Sequence, residues 1–337
     1  MSTTASTVTP ERIMQFAWGY VPPLVLEAAI EHRVFDTLDA GPKTVQEVSA
    51  ATGASQRGLT AIMDALVGLN FLARDEQGRY SLAPESAAFL VSSKPAFQGG
   101  IIRHCSQHLI PKWLALNDIV KTGKPLKAVN EERTGAEFFQ KFVTDLFPMN
   151  YAAAQTLAKH LAVSSPVQVL DLAAGSGVWG IALAQSSENV RVTAVDWPDV
   201  IPITRKMAAK FGLAERFSFL EGDLRTADFG NNYGIATLGH ILHSEGEQAS
   251  RALLRKTFQA LQPGGTIAIA EFLVDADRRG PVNGLLFAVN MLVNTDQGST
   301  YSFEEIGQWL KEAGFVNARK LDAPGPSPLV LATKPSH

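Results

Sequence analysis

Three groups of residues in this chain have types and spacings that can do chemistry. The first is Asp171-Leu172-Ala173-Ala174-Gly175-Ser176-Gly177-Val178-Trp179-Gly180. An apolar run of strand length from Val167 leads into it, and Ile181-Ala182-Leu183-Ala184 follows with helical character. Strand, glycine turn and helix offer free backbone N–H groups to a ligand at a helix N-terminus. Gly175, Gly177 and Gly180 fit G-x-G-x-x-G, and Asp196 follows about 20 residues later, as in a dinucleotide fingerprint. Asp171 argues for a different ligand. A carboxylate closing the strand beneath the turn repels a pyrophosphate but suits the cationic methionine end of S-adenosylmethionine. Asp196 holds a ribose in either case, and a turn merely shaped by its glycines stays open as a third reading.

The second group is His240, His243 and Glu271. A histidine at the mouth of a sheet suits general-base work, and a carboxylate at the end of the next strand can bind its other nitrogen and fix the tautomer. His240 reads as pocket-lining or cofactor-adjacent. The third group is His104 and His108, whose i, i+4 spacing is that of zinc ligands. Cys105 points elsewhere on that helix and no acidic residue completes a site, so no metal is expected and the pair reads as ordinary or pocket-lining histidines.

These residues need a frame. Val190 to Val195 reads as a second strand ending at Asp196, Phe217 to Leu220 as a third leading to Gly222-Asp223, and Gly234 to Leu238 as a fourth leading to His240. A helix from Ala249 to Leu261 ends at Pro263-Gly264-Gly265, which turns the chain into a fifth strand, Thr266 to Phe272. Ser302-Phe303-Glu304-Glu305 is a capping box, and Val316 to Leu321 with Pro328 to Ala332 forms a closing antiparallel pair. Such alternation predicts an α/β fold with a doubly wound sheet.

Ahead of it the chain is helical. Thr9-Pro10-Glu11 reads as a capped helix start, and Pro22-Pro23 opens a second helix to about His32, so apolar that a partner subunit is its natural cover. Thr44-Val45-Gln46-Glu47 is a capping box for a helix ending at Gly53. Ser55 caps the next, with Leu59, Ile62, Met63, Leu66 and Leu69 on one face. Phe71 to Arg74 and Arg79 to Leu82 read as a hairpin, completing a winged helix. Its second helix offers Arg57 as the only basic side chain, with Asp64 further along. That is too little for duplex recognition, so packing or dimerisation is expected. From Pro95 to about Leu161 the chain reads as helical, with a capping box at Thr134 to Glu137 and frequent aromatics that include Phe138, Phe139, Phe142 and Phe147.

Composition narrows the class. The chain has 337 residues, 46% hydrophobic and 19% charged, with a net charge of −3 and one cysteine. That describes a globular protein with no internal disulfide and no electrostatic pull toward nucleic acid or an anionic membrane. Met1 to Thr9 lacks the segments of a secretory signal, and no apolar run is expected to approach a span of roughly 20 residues. A cytoplasmic protein is expected.

Taken in order, Asp171 to Gly177, Asp196-Trp197-Pro198, Gly222-Asp223-Leu224, His240-Ile241-Leu242-His243, Leu261-Gln262-Pro263-Gly264-Gly265 and Ala270-Glu271 resemble the S-adenosylmethionine-dependent O-methyltransferases of the caffeate and hydroxyindole type. The resemblance covers nearly the whole chain, to Lys334, and implies S-adenosylmethionine as cofactor and an intertwined homodimer through the winged-helix region. It divides the chain into 1–95 for dimerisation, 96–161 as a helical linker and pocket region, and 162–337 as the catalytic domain. It implies that Asp171, Gly175, Gly177, Asp196, Trp197, Asp223, Leu224 and His240 serve the cofactor, with Trp197 or Leu224 on the adenine and Asp223 near its amino group. It makes His243 the base that takes a proton from a hydroxyl, a phenol above all, and Glu271 its flanking carboxylate. Phe147, Asn150, Phe287, Met291 and Thr295 are expected to wall the acceptor pocket, which suggests a flat aromatic of modest size. The chain departs from the pattern at Gly239 (commonly lysine), at Ser244-Glu245 (commonly Asp-Trp) and at Thr300 (a second glutamate). The departures keep carbon or nitrogen methylation and a non-methylating rearrangement as alternatives. An NAD-dependent oxidoreductase and a DNA-binding regulator stand further off.

Overall fold

The computed structural model describes residues 8–129 and 143–336. The expected capping box at Thr134 to Glu137 and the aromatics Phe138, Phe139 and Phe142 lie outside them. The chain forms two compact units, Met1–Pro111 and Lys112–His337.

The first unit opens with α1 (Glu11–Ala17) and α2 (Val21–Glu31), then α3 (Val34–Leu38), α4 (Val45–Thr52) and α5 (Gln56–Gly68), the hairpin β1 (Leu72–Arg74) and β2 (Tyr80–Leu82), and the short helices α6 (Pro84–Phe89) and α7 (Gly99–His104). The capping box Thr44/Glu47 starts α4, and Gly53, at φ 74°, ends it. Ser55 accepts from Gly58 N to cap α5. Leu59, Met63 and Leu66, one turn apart, bury against Phe35, Val48 and Tyr80. Leu69 does not join them. It caps the helix end and stands 38% exposed. Asp64 accepts from Tyr80 Oη at 2.7 Å and from Arg74 Nη1 at 3.3 Å, so the one acid on α5 serves to dock the hairpin.

The start of α1 also differs from expectation, because Pro10 occupies the cap position and no side chain caps the helix. None of its residues is buried, and Ile13, Phe16 and Trp18 are 71%, 73% and 63% exposed. Glu11–Glu31, 21 residues, does reach the length and hydropathy of a membrane span, which the sequence was expected not to do. Its helix breaks at Trp18–Tyr20, however, and Pro22 and Pro23 sit in the first turn of α2.

The second unit is a seven-stranded sheet between helical layers. After α8 (Leu116–Thr122) and α9 (Phe147–Leu161), β3 (Val167–Leu172), β4 (Val190–Asp196), β5 (Phe217–Glu221), β6 (Tyr233–Gly239) and β7 (Leu261–Ala270) run parallel. Helices α10 (Val178–Ser186), α11 (Ile201–Lys210) and α12 (Leu242–Ala260) connect them, and α13 (Val282–Asn294), α14 (Phe303–Ala313), β8 (Val316–Leu321) and β9 (Leu329–Thr333) complete the unit. The order is β5-β4-β3-β6-β7-β9-β8, with β9 antiparallel to both neighbours. Strand residues alternate between two cores. Val169 and Ala194 face Ala154, Ile181 and Met207 on one side, while Leu170 and Val195 face Leu254, Ile306 and Leu310 on the other.

Chain order reverses between β3 and β6, and an open parallel sheet binds ligands in the crevice beyond such a switch point. The fifth parallel strand starts at Leu261, not at Thr266, and ends at Ala270. Pro263-Gly264-Gly265 does not stop it, since Gly264 N and Gly265 O both pair with Lys334. Instead the register with β6 shifts between Tyr233 and Ile235.

Candidate active site

The glycine turn sits at the carboxyl end of β3, as its sequence requires. Gly177 caps α10 at φ 74°, and Gly175 has φ 54°, left-handed conformations that glycine adopts without strain. Gly180 has a different task. A Cβ there would lie 2.8 Å from Val192 and 3.0 Å from Asp171 Oδ2, so its hydrogen lets α10 close onto the sheet.

Asp171 is not in the crevice. It is 0% exposed; Oδ2 accepts from Gly180 N at 3.0 Å and Oδ1 from Thr237 Oγ1 at 2.7 Å. The β3–β6 register places Thr237 directly opposite it. The carboxylate expected to greet a cationic ligand is therefore buried beneath the turn, where it ties β6 to the start of α10. Burial above all, with a smaller push from Asp196, raises its pKa to about 7 against the lowering effect of the Thr237 and Gly180 hydrogen bonds. Asp196, half-buried at the end of β4, accepts from Gly175 N and Trp197 N at 2.8 Å each, and burial lifts it to about 6. Asp196 is the acid left at the rim, and a carboxylate there disfavours a pyrophosphate.

The sign of the pH effect follows. Asp171 has a higher pKa folded than unfolded, so the folded chain binds its proton more tightly between about pH 4 and 7. The stability this proton contributes is present at low pH and lost as pH rises through about 7. Asp171→Asn removes the dependence, so the ligand-free variant should gain on wild type by on the order of 2 kcal/mol between pH 5.5 and 8. Unfolding midpoints at the two pH values check this. An unchanged gap would mean that Asp171 is ionised throughout.

Around the same rim, Trp197 is half-buried, and Leu224 offers its carbonyl to Lys256 Nζ at 2.8 Å. The Asp223 carboxylate, expected near an adenine amino group, is held by Arg225 through its backbone N–H and two guanidinium nitrogens. Those hydrogen bonds keep it below its ordinary pKa.

His243 lies in the first turn of α12. Its Nδ1 is 2.7 Å from Glu271 Oε2, and its backbone N–H donates to Glu271 Oε1 at 3.2 Å. Glu271 is 2% exposed; burial works to raise its pKa, and His243 beside it outweighs burial, leaving it below the ordinary value. An ionised carboxylate on Nδ1 holds that proton and leaves Nε2 with its lone pair, and among the described residues Nε2 makes no hydrogen bond. The dyad is braced from outside, since Ser299 N donates to the His243 carbonyl at 2.9 Å. Gly246, at φ 80° and against Gln297, kinks α12 just beyond it.

The expected pocket residues divide. Phe287 stands edge-on to His243, ring centroids 4.9 Å apart, and stacks on Phe272 at 3.9 Å. Met291 is buried one turn further along α13. Thr295 spends its hydroxyl on Met291 O and Gly298 N, closing the end of α13. Asn150 is buried, with a 3.4 Å bond to Leu146 O. Phe147 belongs to the core, stacked on Tyr151 and Phe211 at 5.1 Å each. Aromatic frequency alone did not separate such a core residue from a pocket wall.

The departures have local causes. Gly239 makes room for the Trp179 indole, which any Cβ there would strike. Ser244 bonds its own turn through Ile241 O. Thr300 is 1% exposed, its hydroxyl without a hydrogen-bond partner among the described residues and its carbonyl taken by Arg278. Thr237, Trp179, Phe272 and Ser327 were missed. Of these only Phe272, adjacent to Glu271, carried a signal, as an aromatic leaving a strand end at the sheet mouth. Among the described residues no group of three or more His, Cys, Asp or Glu is placed to hold a metal ion.

Residues 115–316 match the model of an O-methyltransferase domain, and 14–92 that of an O-methyltransferase dimerisation domain. The chain is 29% identical to the 3-hydroxy-5-methyl-1-naphthoate 3-O-methyltransferase of Streptomyces sahachiroi, over 96% of this chain and 95% of that one. Among solved structures, a putative O-methyltransferase from Nostoc punctiforme superposes with TM-score 0.90 at 27% identity, covering 98% of this chain and 100% of that one. Human N-acetylserotonin methyltransferase, solved with S-adenosylmethionine, superposes with TM-score 0.87 at 25% identity, covering 99% and 100%.

Proposed function

This chain belongs to the O-methyltransferase family, and from that premise we propose that it moves a methyl group from S-adenosylmethionine to the phenolic oxygen of a small aromatic metabolite, with His243 as general base. The observation that carries the reading is the dyad: a buried carboxylate fixes the His243 tautomer and leaves Nε2 free beside an aromatic pair.

The residues present fit the cofactor. Asp196 offers a half-buried carboxylate to a diol, Gly175 and Gly177 put no side chain in the turn, and Trp197 and Leu224 would flank the adenine. Asp223 serves the adenine amino group only if it shares its carboxylate with Arg225. When bound, S-adenosylmethionine supplies an electrophilic methyl group. The chain's own work is to orient the acceptor and take its proton. Phenols ionise near pH 10, so a base at Nε2 raises the nucleophilic population at neutral pH. Phe287 and Phe272 pack a flat ring beside that nitrogen, and Met291 extends the apolar wall. The Streptomyces relative, by its name, acts on a ring hydroxyl, which supports the phenolic class.

Functionally, we keep 1–95 as a winged-helix dimerisation region, 96–161 as linker and pocket, and 162–337 as the catalytic part. The bare apolar side of α1 supports a homodimer, since a face of that kind needs cover. Phe16→Glu with Trp18→Glu should shift the protein toward monomer in sedimentation equilibrium; an unshifted dimer would place the interface elsewhere. A single cysteine supports a cytoplasmic setting, and Arg57 as the one basic side chain on α5 supports protein rather than nucleic acid as its partner.

Thermal unfolding with S-adenosylhomocysteine, NAD or duplex DNA tests the class. Protection by S-adenosylhomocysteine alone, followed by methyl transfer to members of a phenol panel, is the expected result. Protection by NAD alone, or transfer to no oxygen acceptor, would end the reading.

A further inference from the structure

His240 stands beside the dyad and the proton transfer does not use it. Its ring lies 6.2 Å from His243 and 5.1 Å from Phe272, so both histidines border Phe272. Its backbone is in the left-handed region at φ 60°, pinned by a 2.9 Å bond from its N–H to Ala270 O. A bulky residue kept there is under local strain, which persists only where the surroundings hold it.

Its Nε2 lies 2.8 Å from Ser327 Oγ, across 87 residues of chain. Ser327 is 3% exposed and has no other hydrogen-bond partner among the described residues. Were Nε2–H the donor, the serine hydrogen would be buried with nowhere to go. The arrangement that satisfies both groups has the hydroxyl donate to Nε2, which puts the imidazole proton on Nδ1. Burial holds the ring's pKa down to about 4, so it stays neutral at working pH. Among the described residues Nδ1 makes no hydrogen bond.

Resting on the O-methyltransferase reading above, we propose that His240, its tautomer set by Ser327, donates a hydrogen bond from Nδ1 to a second oxygen of the acceptor, so that the enzyme selects aromatic rings whose reacting hydroxyl has an oxygen neighbour. His243 Nε2 accepts from one oxygen and His240 Nδ1–H donates to the next. A ring lacking the second oxygen leaves that donor unsatisfied in a desolvated site, and this is how polar groups discriminate strongly. His240 binds substrate; Ser327 acts through it as a positioning residue.

Kinetics with 2,3-dihydroxynaphthalene and 2,7-dihydroxynaphthalene, which carry neighbouring and remote oxygens, test the proposal. For the wild type, kcat/KM should favour the 2,3-diol by roughly tenfold. In His240→Phe and in Ser327→Ala that ratio should fall to about 1, through a raised KM for the 2,3-diol, with the KM for S-adenosylmethionine unchanged in Ser327→Ala. A folding defect would instead lower turnover of both diols together and weaken protection by S-adenosylhomocysteine. Methylation of both diols without preference, or a preference that survives in both variants, would overturn the role of His240 and leave the O-methyltransferase reading intact. Methylation of neither diol would overturn the phenolic reading and this proposal with it.

Discussion

Replacing His243 by alanine should lower turnover by at least about a hundredfold while leaving affinity for S-adenosylmethionine nearly unchanged. A positioned base contributes about 10² to 10⁴ in rate, and among the described residues the His243 ring bonds Glu271 and neighbours Phe272, Phe287 and His240, with no hydrogen bond to the glycine turn. Loss of the ring therefore removes an interaction made in the transition state and leaves cofactor binding alone, the pattern of a fall in kcat. Steady-state kinetics with a phenolic acceptor, together with calorimetric titration of the cofactor, separate the two quantities. Two outcomes would remove His243 from the chemistry. One is turnover within tenfold of wild type. The other is a residual turnover of the variant that does not rise as pH approaches about 10, where a phenol ionises without a base.

Glu271→Gln should cost nearly as much, from a change of one atom. The carboxylate accepts twice, from His243 N–H through Oε1 and from Nδ1–H through Oε2. An amide has one acceptor oxygen. If it keeps the backbone N–H, its NH2 group faces Nδ1 and forces the proton onto Nε2, where the base must be free. Where a carboxylate-to-amide change reverses a catalytic histidine's tautomer in this way, losses approach 10⁴, so a fall of at least about a hundredfold is expected here. Glu271→Ala leaves the tautomer unconstrained and should retain more activity than the glutamine variant. Equal activity in the two, or greater activity in the glutamine variant, would show that Glu271 acts as a structural carboxylate and not through the tautomer.

Much of the frame was legible because its signals are local. A glycine turn between an apolar strand and an apolar helix, capping boxes at Thr44 and Ser302, and glycines closing α4 and α14 each speak through residues within a few positions of one another. Strand β7 was misjudged at its start because Pro263-Gly264-Gly265 has the composition of a turn. Pairing with Lys334, 70 residues on, keeps the chain extended there. Thr9 has the chemistry of a cap, yet the helix begins one residue too late for it to act.

The sequence by itself determined the order of strands and helices, the presence of a nucleotide-type turn, and which histidine and which glutamate stand past adjacent strand ends. Those follow from periodicity and from short-range turn chemistry. Only the tertiary structure decided what each carboxylate does. Asp171 meets Thr237 because two strands pair in one register, and so it is buried as a brace. Glu271 meets His243 because β7 ends beside the first turn of α12, and so it sets a tautomer. Burial and hydrogen-bond partners come from residues tens of positions apart, and they determine whether an acid binds a ligand, holds the fold or tunes a base.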